Sequence, residues 1–385
     1  MKGYKSQNTS PIWMYLTLVV LAFFLIFIAY PLSLVLYRSF YNQQTQTLTL
    51  EYFTRFFTRK YFTNTIINSF KVTFSATIVS SILGLTIAYI TRSSKIKGSK
   101  WLNILIVVSY LSPPFIGAYA WIQLLGRNGL ITKYINAWFG MNFEGIYGFI
   151  GIVLVFSLQS FPLVYMYVAG ALKNLDNSLN EAAESLGSST LQRISMVIMP
   201  LIVPTLLASS LLVFMRVFSD FGTPMLIGEG YRTFPVVLYS QFMGEVAQDD
   251  NFAAALCIII MIITLVFFFA QRMIARKMSY SMTALKPMQA IQKKGLTNVL
   301  QHVFVYFVVF LGILPQLTVI ATSFMEFSGG HVFTGRLTLE NFRNTLLNKG
   351  SNAVWNTYLF GISAILIVVV LGIIISYLAV RKSSF

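Results

Sequence analysis

Residues 181–200, EAAESLGSSTLQRISMVIMP, form a polar, helix-forming insert between two long hydrophobic runs, and that placement decides the fold. Hydrophobic residues make up 56% of the 385 and charged residues only 10%. Apolar runs of about 20 residues recur along the chain, each long enough to cross roughly 30 Å of hydrocarbon. We expect an all-α integral membrane protein with eight spans, near 12–37, 66–90, 102–125, 147–170, 201–221, 253–271, 302–324 and 355–380, and both termini on one side.

The net charge of +16 would suggest nucleic acid in a soluble protein, so its distribution matters. With the N-terminus taken as cytoplasmic, the inside segments carry sixteen basic and three acidic residues, the outside segments eleven and nine. Arg216, inside a span, completes the basic set. This is the positive-inside pattern of a membrane protein, and it argues against a nucleic-acid partner. The first span has only Lys2 and Lys5 before it and no small-residue cleavage site, so it reads as an uncleaved first helix. Cys257 is the single cysteine, which excludes an intramolecular disulfide.

The chain repeats itself. Leu48-Thr49-Leu50-Glu51-Tyr52-Phe53 returns as Leu337-Thr338-Leu339-Glu340-Asn341-Phe342. In the same order, Pro31 parallels Pro315, and Asn68, Gly84 and Tyr89 parallel Asn356, Gly372 and Tyr377. We therefore expect a first unit of six helices over 1–285, with a polar loop at 174–200, then a cytoplasmic linker at 286–301. The first two helices of a second, incomplete unit follow at 302–385. The rest of that unit, about 180 residues judged from the repeat, is expected beyond Phe385 or on another polypeptide.

Within the polar loop, Ser178-x-x-Glu181 has the form of a capping box and predicts a helix start. Gly187 can take positive φ and end that helix; Ser189-x-x-Gln192 opens a second, and Pro200 is expected to halt it. Ala182 and Ala183 give a flat face with Glu181 and Glu184 at its edge, suited to a groove on another protein. A helix lying on anionic headgroups is the alternative, and Asp176, Glu181 and Glu184 would be repelled there.

The spacing of Glu181-Ala182-Ala183, Gly187 and Val197-Ile198-Met199-Pro200 resembles the EAA loop of type I ABC importer permeases, whose pattern is Glu-Ala-Ala, three residues, Gly, nine residues, then Ile-x-Leu-Pro. Val197 and Met199 replace the Ile and Leu of that pattern. The resemblance implies a permease whose loop docks into a dimer of ATP-binding subunits, supplied with cargo by an extracytoplasmic substrate-binding protein. The fused duplication is similar to the ferric-iron branch. No GxxxxGK[ST] phosphate loop occurs, so ATP is expected on the partner and no cofactor on this chain.

Polar or kinked positions inside spans are costly, which makes them candidates for the translocation path. They are Ser112, Pro113 and Pro114 in span three, Ser157, Gln159 and Ser160 in span four, and Arg216 with Asp220 at the outer end of span five. The structural alternative is that Ser and Gln bond neighbouring helices, the prolines merely kink, and Arg216 pairs with Asp220 across one helical turn. The outer segment 222–252, with Glu229, Arg232, Glu245, Asp249 and Asp250, is the candidate surface for the binding protein. His302 and His331 have no ligand-spaced companions, so no stable metal site is expected. A phosphonate, polyamine, sulfate or thiamine-like cargo fits the same mechanism. An ion-coupled secondary carrier or membrane scaffold is the reading from another class, and it calls for mid-membrane carboxylates that the chain lacks.

Overall fold

The computed structural model describes residues 11–42, 45–244, 249–277, 290–326, 335–347 and 350–381. The chain opens with α1 (Pro11–Phe24), passes a π turn at Leu25–Ala29 and continues as α2 (Tyr30–Phe40) into a short hairpin, β1 (Tyr41–Asn42) and β2 (Thr47–Leu48). Then come α3 (Glu51–Thr58), the 34-residue α4 (Lys60–Ser93), α5 (Ser99–Tyr110), α6 (Pro114–Leu125), α7 (Leu130–Phe139) and α8 (Gly148–Lys173). The polar loop holds α9 (Asn177–Ser185) and α10 (Thr190–Arg193). After it lie α11 (Met199–Ser219), α12 (Gly222–Ile227), α13 (Phe234–Met243), α14 (Asp250–Lys277), α15 (Gly295–Ser323), α16 (Glu340–Leu347) and α17 (Ser351–Arg381).

Among the described residues seven continuous helices are long and apolar enough to span a membrane, and an eighth is counted only if a bent pair is one span. That pair is the expected third span. It is not one rod: Ser99–Tyr110 and Pro114–Phe139 meet at 103°. Pro113 and Pro114 have no N–H to offer the carbonyls of Ser109 and Tyr110, so the helix has no reason to continue through them.

Two compact units result, one of residues 50–322 and the other of 1–49 with 323–385. In the larger, α4 and α8 lie against each other along buried Val72, Ala76, Ile87 and Ala88 on one side and Ile152, Val155, Phe161, Val164 and Val168 on the other. Gly84 permits the approach: a Cβ there would stand 2.7 Å from the Val164 Cβ and 2.8 Å from the Phe161 carbonyl oxygen. Small residues at the closest contact are how membrane helices gain dispersion energy without a hydrophobic drive. α11 packs on both, and Ser81 and Ser210 share a hydrogen bond of 2.8 Å between α4 and α11. At one end of the unit, Tyr52, Phe56, Phe62, Phe234, Phe252 and Leu256 form an apolar cluster. Arg55 closes it, stacked 4.4 Å over Phe252 and paired with Asp249 at 2.9 Å.

At the other end, the turn between α4 and α5 is clamped by α15 and the segment before it. The Ile291 carbonyl accepts the Lys95 N–H at 3.1 Å, and the Tyr306 hydroxyl donates to the Lys97 carbonyl at 2.6 Å. His302 Nε2 accepts the Lys97 N–H at 3.2 Å while its Nδ1 reaches the Asn298 carbonyl at 2.8 Å, so the tautomer protonated at Nδ1 fits both bonds. In the smaller unit, Trp13 stacks on Tyr377 with ring centroids 4.7 Å apart, and the apolar lengths of Trp13–Phe40 and Ser351–Leu378 are otherwise exposed.

Candidate functional site

The polar loop forms the two expected helices, with two corrections to how they start and stop. The cap of α9 is Asp176, not Ser178: the Ser178 N–H donates to Asp176 Oδ1 at 3.0 Å. Glu181 is turned to the Asn177 side chain, whose Nδ2 donates to it at 2.9 Å. An ionised carboxylate at the N-cap outcompetes a hydroxyl there because it also meets the positive end of the helix. Gly187 ends α9 at φ +82°, with the Gly187 N–H bonded to the Glu184 carbonyl and the Ser188 N–H to the Ala183 carbonyl, which is a Schellman closure. Ser189 and Gln192 make a reciprocal capping box on α10, as the spacing predicts.

Pro200 does not halt the second helix. α10 runs through a π turn at Ile194–Ile198 into α11, where Pro200 occupies the first turn, and Thr190–Ser219 is a single 30-residue span. A π turn takes its hydrogen bond one residue further on, as the Met199 N–H to the Ile194 carbonyl shows, and so absorbs the register change a proline imposes. The polar insert therefore ends in the same rod that crosses the membrane.

Glu181, Ala182 and Gly187 are exposed and Ala183 is half-buried, so the flat face is presented outward. Two leucines that the sequence did not single out extend it: Leu186 is 87% exposed and Leu191 78%. With Leu179 and Ala182 at helical spacing before Leu186, they make an apolar edge of the kind that marks a protein contact. An aliphatic residue in a short helix reads as core until its surroundings are known, so the sequence carried no signal for them. Arg193, 15% exposed at its side chain, pairs with Glu184 at 2.5 Å and ties α9 to the start of the rod. Val197, Met199 and Pro200 lie within the π turn and the first turn of α11.

The pathway candidates divide. Ser112 and Gln159 line one narrow cleft with Ser109, Gly117, Trp121, Gly312 and Gln316. Pro113 and Pro114 form the break beside it. Ser157 donates to the Val153 carbonyl of its own helix at 2.6 Å, and Ser160 is buried outside that cleft. Asp220 lines a different cleft, with Ser69, Thr73 and Thr233.

Arg216 and Asp220 form no salt bridge among the described residues, contrary to expectation. α11 ends at Ser219, and the extended Asp220 swings onto α12, where its Oδ1 accepts the Thr223 N–H at 3.1 Å. The Arg216 guanidinium instead lies 4.5 Å over the ring of Tyr110, the last residue of α5.

In the outer segment, Glu229 pairs with Arg127 at 2.7 Å and Asp249 with Arg55 at 2.9 Å, so both are spent inside the chain. Arg232 donates to the Tyr61 hydroxyl at 2.8 Å, and Glu245 lies outside the described residues. His331 likewise lies outside them. Among the described residues no three His, Cys, Asp or Glu side chains gather in a ligand-like group.

A profile of the binding-protein-dependent transport system inner membrane component family matches residues 80–280, more than half of the chain, and the chain belongs to that family. It is thus of the type I ABC importer permease class, a multi-pass inner-membrane component. Over 372 residues it is 26% identical to the ferric transport system permease protein FbpB of Actinobacillus pleuropneumoniae, covering 95% of this chain and 53% of that one. It is 28% identical over 215 residues to the molybdenum transport system permease protein ModB of Haemophilus influenzae, covering 54% of this chain and 92% of that protein. The match to a putative 2-aminoethylphosphonate transport system permease protein, PhnU, of Salmonella typhimurium is 27% over 277 residues, 70% of this chain and 94% of the relative. The chain spans about half the length of the ferric relatives. Its fold is shared with a chain of a bacterial ABC transporter that imports the acidic polysaccharide alginate, at a TM-score of 0.54 and 16% identity over 70% of this chain and 96% of that one.

Proposed function

We propose that this chain forms part of the translocation path of a binding-protein-dependent ABC importer for ferric iron and takes its driving force from a separate ATP-binding subunit dimer docked on α9. The observation that carries this is the presentation of α9: an exposed Ala182 and Leu186 face, closed by Gly187 and joined through Arg193 to a rod that continues into α11. Glu181, Ala182, Ala183 and Gly187 make the docking element, and Val197, Met199 and Pro200 lie in the part of the rod that passes movement on. ATP belongs to the partner, and this chain needs no cofactor.

The N-terminus and α9 share the cytoplasmic side, as the charge asymmetry requires. An extracytoplasmic substrate-binding protein delivers the cargo. Because residues 31–89 recur at 315–377, a second permease unit with its own coupling helix completes the assembly.

The test is co-expression with the ATP-binding and substrate-binding proteins. Glu181→Lys and Gly187→Val should lower both ferric uptake and stimulated ATPase activity while the chain still inserts in the membrane. Unchanged uptake and ATPase activity in both variants would refute the docking assignment.

A second cargo reading rests on Arg216. A half-buried guanidinium beside the break in span three suits an oxyanion such as a phosphonate. Uptake competition between ferric iron and 2-aminoethylphosphonate separates the two.

A further inference from the structure

An α-helix that meets a proline loses one hydrogen bond at a defined place, on the carbonyl four residues upstream. In span three the proline is Pro113 and that carbonyl belongs to Ser109. Ser109 nevertheless has a donor: Nε2 of Gln316, on α15, reaches its carbonyl oxygen at 3.1 Å. A second amide comes from α8. Gln159 Nε2 lies 2.6 Å from where a Cβ on Gly117 would stand, so its amide rests directly against α6. Between these elements is the cleft lined by Ser109, Ser112, Trp121, Gln159 and Gln316. Trp121 Nε1, Gln159 Nε2 and Gln316 Oε1 are buried there without a protein partner, two donors and one acceptor. Two donors and one acceptor match the hydrogen-bonding capacity of water.

We propose that Gln316 is the positioning residue of the break in span three. Its amide replaces the donor that Pro113 lacks and ties the end of α5 to α15. Gln159, bearing on Gly117, and water in the cleft then fix the direction in which α6 leaves. The angle between α5 and α6 is in this way set by α15 and α8 and not by the proline pair alone. A proline break left to itself bends over a range of angles; one whose freed carbonyl is held from a neighbouring helix has a single direction. Neither the cargo nor the ATPase enters this argument.

The test uses the full chain in lipid nanodiscs, in a Cys257→Ser background, with spin labels on Trp101→Cys in α5 and Tyr119→Cys in α6. The parent should give one narrow distance distribution. Gln316→Leu should shift and broaden it, and Gln316→Met, which keeps the length of the side chain and removes the donor, should do the same if the leucine variant folds poorly. In a Pro113→Ala background residue 113 regains its own N–H for Ser109, and there Gln316→Met should add no further change. A parent-like distribution in Gln316→Met, or an equal change with and without Pro113, would overturn the proposal.

Discussion

Gly187 sits at φ +82°, a backbone conformation that costs an L-residue with a branched side chain about 1–3 kcal/mol. A Cβ there meets nothing within 4 Å, so the cost of Gly187→Val is conformational and local to the end of α9. Thermal stability of the purified variant should therefore change little while coupling falls, and a large drop in Tm would show that the strain spreads. The Arg193–Glu184 pair makes a complementary case. Glu184 is 64% exposed, and an ion pair of that kind contributes about 0.2–1 kcal/mol, too little to hold a fold but enough to set the direction of a short helix. Arg193→Glu should lower ATPase stimulation, and the exchanged pair Glu184→Arg with Arg193→Glu should recover much of it. Failure of the exchange to recover activity would mean that Arg193 acts through some other neighbour. Such pairing was not legible in the sequence, because eight residues, a glycine turn among them, separate the two.

At the scale of the element, the π turn at Ile194–Ile198 governs rotational phase. It holds one residue more within a single turn than an α-helix would and so keeps the phase of what precedes it, whereas an alanine inserted between Arg193 and Ile194 adds a residue in α geometry and should turn everything before it by about 100° about the rod axis. The chain should still insert, since the span after Met199 is untouched, but α9 would face away from its partner. Loss of ATPase co-purification with normal membrane abundance is the expected result. The sequence announced the proline at 200 and said nothing of the extra residue, which is why a halt was expected where a continuous rod exists. The break in span three was visible in Pro113 and Pro114, but what holds it was not. Gln316 lies far along the chain in an apolar run, where a lone amide carries no record of the carbonyl it serves.

For the whole molecule, the helical membrane-spanning class was legible in the sequence because hydropathy is a sum over many residues. Close approach was not, since it depends on which two surfaces meet. Gly84 and Gly372 occupy equivalent places in the repeat, yet a Cβ on Gly84 would strike α8 while one on Gly372 has open space. Gly84→Leu should accordingly lower Tm sharply or prevent folding, as overpacking costs about 1–3 kcal/mol or more. Gly372→Leu should leave the Tm of the isolated chain unchanged. Sidedness can be checked with a membrane-impermeant maleimide in the Cys257→Ser background. Ser185→Cys should be protected in intact cells and labelled in inverted vesicles, and Lys133→Cys the reverse; the opposite pattern would invert the topology.

The 34 residues of α4 make a strut about 51 Å long, against roughly 30 Å of hydrocarbon and 40–45 Å including headgroups. Its two ends are fastened, one in the aromatic cluster through Phe62 and the other through the Ser93 carbonyl to Ile291. A rod longer than the film it crosses carries its polar ends, Lys60 and Arg92, beyond the hydrocarbon, and its inclination is set by the helices packed on it, α8 and α11. The two fastenings thus sit at opposite ends of one continuous helix, so that a displacement of the Ser93–Ile291 end is passed to the aromatic cluster as along a push-rod.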